Sequence, residues 1–162
     1  MRGRSHILLP LAILLFAACD PAFDMKLDIL NESGHAVVLL PPGDTNVINY
    51  NPWYSNREGL RIEADSSMEI HLCGGIGLAS RSEAEWRICN IIVPDSAVFL
   101  FDDGRRLIYH ADDTLTDGSP YNFESAHYKY SEKVHTGYMF HGEPYFGRFV
   151  YTLTQEQYEQ SN

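Results

Sequence analysis

Residues 97–110 read AVFLFDDGRRLIYH and carry the clearest hairpin pattern of the chain. Two apolar runs flank Asp103 and Gly104. Asp-Gly between such runs is typical of a two-residue type I′ turn, which joins antiparallel strands. A register centred on that turn places Leu100 opposite Leu107, so that apolar side chains face each other. The sequence therefore predicts a β-hairpin here.

Further strand candidates recur along the chain, with turn residues between them. They are residues 26–30, 36–40, 47–50, 60–64, 68–72, 88–93, 128–130 and 148–153. The candidates at 60–64 and 68–72 are joined by turn residues and predict a second hairpin. Short strands at this spacing, without a long amphipathic helix, indicate an all-β fold. We expect an antiparallel β-sandwich, immunoglobulin-like or a related Greek key.

Two short helices are predicted from capping patterns. Ser82 precedes Glu85 by three residues, and Thr154 precedes Gln157 in the same way. In such a capping box the two side chains satisfy each other's backbone N–H groups. We therefore expect a helical turn after Ser82 and a short C-terminal helix that begins at Gln155.

The N-terminus has the pattern of a bacterial lipoprotein signal peptide. Arg2 and Arg4 precede an apolar run over residues 7–18, which is too short to span a bilayer comfortably. Small residues end the run just before Cys19, where a lipobox places its lipidated cysteine. The alternative is a buried apolar helix with a chance cysteine. We expect a signal peptide at 1–18 and lipidation of Cys19.

Cleavage before Cys19 would divide the remaining chain into two segments. We expect a lipidated tether at 19–24 and a β-sandwich domain at 25–162. An acylated cysteine attaches a protein to a membrane without a spanning helix. These features predict a lipoprotein of the Gram-negative cell envelope, facing either the periplasm or the outside.

Charge and composition narrow the class of partner. The chain has 12 Lys and Arg against 22 Asp and Glu, a formal net charge of −10. Nucleic-acid binding needs clustered Lys and Arg, so no nucleic-acid partner is expected. A hydrophobic content of 44% indicates a globular domain rather than disorder. The acidic domain would be repelled by anionic headgroups, so lipid contact is expected at the anchor only.

Cys73 and Cys89 are the cysteines left after lipidation of Cys19. The cell envelope permits disulfides, so the sequence favours a Cys73–Cys89 disulfide. Two buried free thiols are the alternative, because cysteine is among the most buried residue types. Zinc binding by this pair is not expected, since the spacing is not that of a CxxC motif.

Several short motifs resemble small lipoproteins of Bacteroidales bacteria. They are the lipobox, Asn31-x-Ser33-x-His35, Phe101-Asp102-Asp103-Gly104, Ser119-Pro120-Tyr121-Asn122 and Tyr151-Thr152-Leu153-Thr154-x-Glu156-x-Tyr158. The resemblance is spread over most of the chain after Cys19. It implies a β-sandwich and no established activity. It also implies the outer membrane, because in that group Asp20 after the lipidated cysteine does not retain the protein in the inner membrane.

An acidic stretch at residues 113–124 has part of the spacing of an EF-hand. Asp113, Asp117 and Glu124 occupy positions 1, 5 and 12 of such a loop. Leu115 stands at position 3 and cannot bind a cation. An ordinary acidic surface turn is therefore the preferred interpretation. A calcium site of another kind stays open, and no other cofactor is expected.

No catalytic residue is assigned from the sequence. His127, His135, His141 and Glu143 lie close in the chain, but they lack the HxH or HExxH spacing of metal ligands. A Gly-x-Ser-x-Gly nucleophile elbow does not occur. The alternative function is a small metal-dependent or carboxylate-based hydrolase that acts on envelope glycans.

Aromatic residues in an irregular loop favour a binding function. Trp53 and Tyr54 lie in residues 51–59, which lack strand alternation. Exposed aromatic rings stack on sugars or anchor a protein partner. The sequence therefore predicts a non-enzymatic binding or structural module with a protein or glycan partner, in which Trp53 and Tyr54 form the site.

Overall fold

Eight strands pack as two four-stranded sheets in the computed structural model, which describes residues 22–41, 58–76, 80–133 and 145–162. The strands are β1 (Ala22–Glu32), β2 (Val37–Leu39), β3 (Leu60–Ile62), β4 (Ser66–Ile76), β5 (Ser96–Phe101), β6 (Arg106–His110), β7 (Tyr128–Lys133) and β8 (Tyr145–Thr154). Helix α1 (Arg81–Arg87) continues into a π-helix (Ile88–Ile92), and α2 (Gln155–Gln160) follows β8.

The strand order confirms the all-β sandwich. Sheet A has the order β4-β1-β8-β7, and sheet B has the order β3-β2-β5-β6. All pairs in sheet B are antiparallel. Sheet A is mixed, because β1 runs parallel to β8 and antiparallel to β4. Thus the strands nearest the two ends of the described chain lie side by side in the middle of one sheet.

The core lies between the two sheets and follows the alternation of the strands. Every second residue of β1 and β8 is buried, as expected when one face of a sheet packs inward. The largest fully buried side chains are Tyr151, Phe99, Phe101, Phe149, Met25, Leu39, Ile62, Ile70, Ile88, Leu153 and Val37. Aromatic rings of both sheets meet here, with Phe99 and Tyr151 stacked at a centroid distance of 6.0 Å.

The hairpin at residues 97–110 is confirmed, but its predicted register is wrong by one residue. Leu107 lies opposite Phe99, not Leu100. Gly104 is the only loop residue with a positive φ, at 91°, whereas a type I′ turn needs positive φ at both central residues. The loop is therefore three residues long and closes with Gly104 in the left-handed region. This register buries Phe99 and Phe101 together with Leu107.

The predicted hairpin of residues 60–72 is wrong, because its two strands belong to different sheets. β3 pairs with β2 in sheet B, and β4 pairs with β1 in sheet A. The chain turns from one sheet to the other at Asp65, which adopts φ 53°. The alternation of apolar and polar residues predicts each strand, but the turn residues carry no information about which sheet each strand joins.

Asn31 stabilises the region in which the chain passes from one sheet to the other. It is completely buried at the end of β1. Its Nδ2 lies 2.8 Å from the carbonyl oxygen of His35 and 3.0 Å from that of Glu63. Its Oδ1 accepts a hydrogen bond of 2.6 Å from the Ser33 hydroxyl. The Asn31-x-Ser33-x-His35 motif therefore has a structural role in linking β1 to β3.

Residues 82–93 differ from their prediction in two ways. Ser80, not Ser82, caps α1, and its side chain accepts a hydrogen bond from the N–H of Glu83. Residues 88–92 form the π-helix rather than a strand. Ile88 and Ile92 are both buried, and short apolar runs fit a buried helix as well as a buried strand.

The C-terminal helix is confirmed, including its capping box. Helix α2 begins at Gln155, with Thr154 as its N-cap and Gln157 in the reciprocal position. At the other end of the chain, β1 already begins at Ala22. The strand therefore includes part of the segment 19–24 that we expected to be a tether. Residues 1–18 and Cys19 lie outside the described residues.

Candidate functional site

The outer face of sheet A carries charged side chains that are paired across strands. Lys26 Nζ lies 2.7 Å from Glu69 Oε1, and His71 Nε2 lies 2.5 Å from Asp24 Oδ1. The hydrogen bond from Lys26 is the main cause that lowers the pKa of Glu69. Lys26 and Glu69 therefore compensate each other's charge on this half of the face.

Asp28 is the one deeply buried carboxylate of that face. Asp28 is only 4% exposed. Its carboxylate accepts a hydrogen bond from Nε of Arg148 on the neighbouring strand. The same contact raises the pKa of the Arg148 guanidinium. Burial of a carboxylate is tolerated when a cation and a hydrogen bond compensate it, so this pair has a structural explanation.

A groove of about 310 Å³ occupies the other half of this face. It lies over β1, β8 and the start of β7. Its lining consists of Leu30, Glu32, Ala126, His127, Lys129, Val150, Thr152 and Thr154. We call it the sheet A groove.

Strand pairing fixes where the lining residues stand. Leu30 of β1 is opposite Thr152 of β8, and Lys129 of β7 is opposite Val150. Glu32 is opposite Thr154, at the end of the groove away from Lys129. Leu30 and Val150 are half-buried. The groove thus has an aliphatic floor with an acidic residue at one end and a basic residue at the other.

The tautomer of His127 follows from its contact. Its Nδ1 lies 2.9 Å from the carbonyl oxygen of Thr152. A carbonyl oxygen only accepts hydrogen bonds, so Nδ1 carries the proton. In the neutral form of the ring with the proton on Nδ1, Nε2 is a hydrogen-bond acceptor. Thr154 is less available, because its hydroxyl accepts from the N–H of Gln157 at 3.4 Å in the capping box.

Glu32 and Lys129, the two charged residues that line the groove, differ from the charged residues beside it in their ion pairing. Neither Glu32 nor Lys129 forms an ion pair within the described ranges, and both are exposed. Lys26, Asp28 and Arg148 on the same face are all paired. The groove therefore presents one free anion and one free cation to a ligand.

Asp113, Asp117 and Glu124, the weak calcium-ligand candidates, form hydrogen bonds and an ion pair within the protein. Asp113 Oδ2 accepts from the N–H of His110 at 2.7 Å. Asp117 Oδ1 accepts from the N–H of Gly118 at 3.1 Å. Glu124 Oε1 lies 2.6 Å from Arg81 Nη2. Within the described residues, no group of three or more His, Cys, Asp or Glu side chains is arranged to hold a metal ion.

Both cysteines are free thiols in the structure, contrary to the predicted Cys73–Cys89 disulfide. Cys73 lies in β4 and Cys89 in the π-helix. An oxidising compartment and an even number of cysteines do not fix the Cα separation that a disulfide needs. Burial raises the pKa of both thiols, that of Cys89 to about 11. Each is therefore protonated at neutral pH and a poor nucleophile.

Other predicted site residues lie outside the described part of the chain. These are Trp53, Tyr54, His135, His141 and Glu143. The binding role of Trp53 and Tyr54 stays a prediction. No local sequence pattern indicates the groove, because the groove depends on the pairing of β1 with β8.

Comparison with known proteins gives no family for this chain. No protein-family model matches it, and a search of curated proteins finds no significant match. Among the residues that the structure describes, no helix is both long and apolar enough to cross a membrane.

Proposed function

We propose that this chain is a lipid-anchored binding module of the Gram-negative cell envelope, which holds a ligand or partner without transforming it. The sheet A groove is the observation that supports this function most directly. Ligand sites combine an apolar floor with a few placed polar groups, in a volume of roughly 300–1,000 Å³. At about 310 Å³ the groove lies at the lower end of that range.

The chemistry of the described residues favours binding over catalysis. Thiol nucleophiles need a lowered pKa, and both cysteines have a raised one. A general base needs a free acceptor beside a charge-stabilising group. Asp28 is instead held in an ion pair with Arg148. Neither the two thiols nor Asp28 is therefore placed to act as a nucleophile or a general base.

The proposed anchor is Cys19, by the signal-peptide pattern before it. Expressed in a Gram-negative host, Cys19→Ala should lose fatty-acid labelling and move from the detergent phase to the aqueous phase. Unchanged labelling and partitioning would show that the anchor is elsewhere. This experiment tests the address of the protein independently of its groove.

The binding role is tested by filling the groove. Val150→Trp places a large ring on the aliphatic floor, whereas Ile108→Trp makes the same kind of change at an exposed position on sheet B. Envelope extracts are cross-linked to each variant, with circular dichroism used to verify folding. We expect Val150→Trp to lose the bound species and Ile108→Trp to retain it.

Two results would overturn this function. Equal capture by both folded variants would mean that the groove is not the site. Turnover of envelope glycans by the purified protein, abolished by a single carboxylate or histidine variant, would establish the hydrolase alternative.

A further inference from the structure

We propose that the sheet A groove binds an extended peptide segment of about four residues with a cation at one end and a carboxylate at the other. This inference rests on the binding function proposed above and names the class of ligand. It is carried by the free Glu32 and Lys129 at opposite ends of the groove and by the aliphatic floor between them.

The placement of the two charges sets the length of the ligand. Glu32 is level with Thr154, and Lys129 is level with Val150, on strands that have β8 between them. With strands about 4.8 Å apart and a rise of about 3.3 Å per residue, their Cα atoms are separated by roughly 16 Å. Both side chains can lean inward. An extended peptide of four residues spans about 13 Å, slightly less than the Cα separation, so its charged ends meet Glu32 and Lys129 when both side chains lean inward.

The polarity of the ligand follows from which charge stands where. Lys129 lies in β7, and His127 directly precedes this strand. The ammonium group of Lys129 can donate hydrogen bonds to a carboxylate. At the other end, Glu32 accepts from an ammonium or guanidinium group. The peptide would therefore lie diagonally across β8, with its cation over β1 and its carboxylate over β7.

The middle of the groove suits a peptide rather than a sugar or a lipid. Leu30 and Val150 offer aliphatic contact for short side chains, and they are only half-buried. Thr152 of β8 has Leu30 of β1 on one side and His127, which precedes β7, on the other. A threonine hydroxyl both donates and accepts, as does a peptide group. A neutral glycan or an acyl chain would leave both charges, at Glu32 and at Lys129, without a partner.

The probe is the tetrapeptide Val-Leu-Ala-Ala, prepared in four forms. One has free termini, one is N-acetylated, one is C-amidated and one is blocked at both ends. Binding to the mature protein is measured by calorimetry or by NMR chemical shifts at low ionic strength, because exposed ion pairs are screened by salt. We expect the free peptide to bind best.

Each terminal charge is then matched to one residue. In the wild type, acetylation or amidation should each weaken binding by about two- to five-fold, the size that an exposed ion pair supports. In Glu32→Gln the effect of acetylation should vanish, and in Lys129→Gln the effect of amidation should vanish. Glu69→Gln is the matched control, because it removes a carboxylate from the same face outside the groove. It should leave both effects intact.

The outcomes separate this inference from the proposed function. If all four peptides bind the wild type equally and Val150→Trp abolishes binding, the groove is the site but the charged-peptide ligand is wrong. If no peptide binds while capture from envelope extracts still depends on Val150, the ligand class alone is overturned. If peptide binding is unchanged in folded Val150→Trp, both the inference and the groove are wrong.

Discussion

The ring of His35 stacks on the ring of Tyr158, with centroids 3.9 Å apart and planes inclined by 20°. His35 follows the end of β1, and Tyr158 belongs to α2. His35 Nδ1 also lies 3.2 Å from Asp102 Oδ1, and the Tyr158 hydroxyl donates to Asp103 Oδ2 at 2.8 Å. These contacts join the C-terminal helix to the tip of the β5–β6 hairpin.

Stability should depend on pH through Asp103. The N–H of Arg105 donates to its Oδ1 at 3.0 Å, and together with the Tyr158 hydroxyl it lowers the pKa of Asp103. A carboxyl with a lower pKa in the folded state stabilises the fold above its unfolded pKa of about 3.9, and this contribution is lost as the pH falls through the folded value.

The test compares Asp103→Asn with the wild type by urea unfolding at several pH values. The variant should be less stable at pH 7, and the difference should shrink as the pH falls below about 4, where the carboxyl takes up a proton in the unfolded state before it does so in the folded state. Asp112→Asn removes the same charge from an exposed position beyond the other end of β6 and is the control. A difference that is constant between pH 7 and pH 2.5 would contradict the prediction.

Gly104 should be sensitive to substitution for backbone reasons alone. Its φ is +91°, and a Cβ placed on it would have no atom within 4 Å. Gly104→Ala should therefore lower the free energy of unfolding by about 1 kcal/mol through conformational strain. Gly104→Asn should cost less, since asparagine tolerates the left-handed region better. If alanine and asparagine are equally stable, the three-residue loop described for this hairpin is wrong.

The free thiols lead to a prediction about alkylation. With a pKa of about 11, Cys89 should react at pH 8 about a hundredfold more slowly than an ordinary exposed thiol, because only the thiolate attacks. Unfolding without a reductant should make both cysteines reactive, as measured by mass spectrometry with Cys89→Ser as the reference for Cys73. If neither cysteine is alkylated in unfolded, unreduced protein, the two are joined in a disulfide.

Local patterns predicted the elements of this fold better than their partners. The capping box of Thr154 and Gln157 was predicted correctly, because both residues lie within one turn of helix. The hairpin at residues 97–110 was placed correctly but misaligned, because Asp-Gly fits loops of two or three residues. One residue of shift exchanges the two faces of a strand, so only burial of Phe99 and Phe101 settles which face is inside.

The position of the groove could not be predicted from the sequence, because it depends on which strands pair. Asp28 and Arg148 form an ion pair although they lie 120 positions apart. Their contact depends on the parallel pairing of β1 with β8, and the same pairing brings Leu30 beside Thr152. Neither residue has a local signal that distinguishes it from other strand residues. Sites on a sheet face are therefore determined by strand order, which periodicity does not contain.

Gln157 should be the most sensitive residue of α2. It is 3% exposed, and its Nε2 lies 3.0 Å from the hydroxyls of both Tyr109 and Tyr151. The Tyr151 hydroxyl in turn donates to the carbonyl of Gly118 at 2.6 Å. One side chain thus connects the helix to both sheets and to the loop that precedes β7.

Replacing Gln157 by leucine removes the partner of several buried polar groups at once. Its Oε1 also accepts from the N–H of Thr154 at 2.9 Å, so the side-chain half of the capping box is lost as well. We expect Gln157→Leu to lower the free energy of unfolding by about 2–4 kcal/mol, measured by urea unfolding with tyrosine fluorescence and far-UV circular dichroism. Gln155→Leu changes the same residue type on the exposed side of α2 and should cost less than about 0.5 kcal/mol. Equal losses for the two variants would mean that the buried hydroxyls do not depend on Gln157, and that the helix is held by packing of Tyr158 alone.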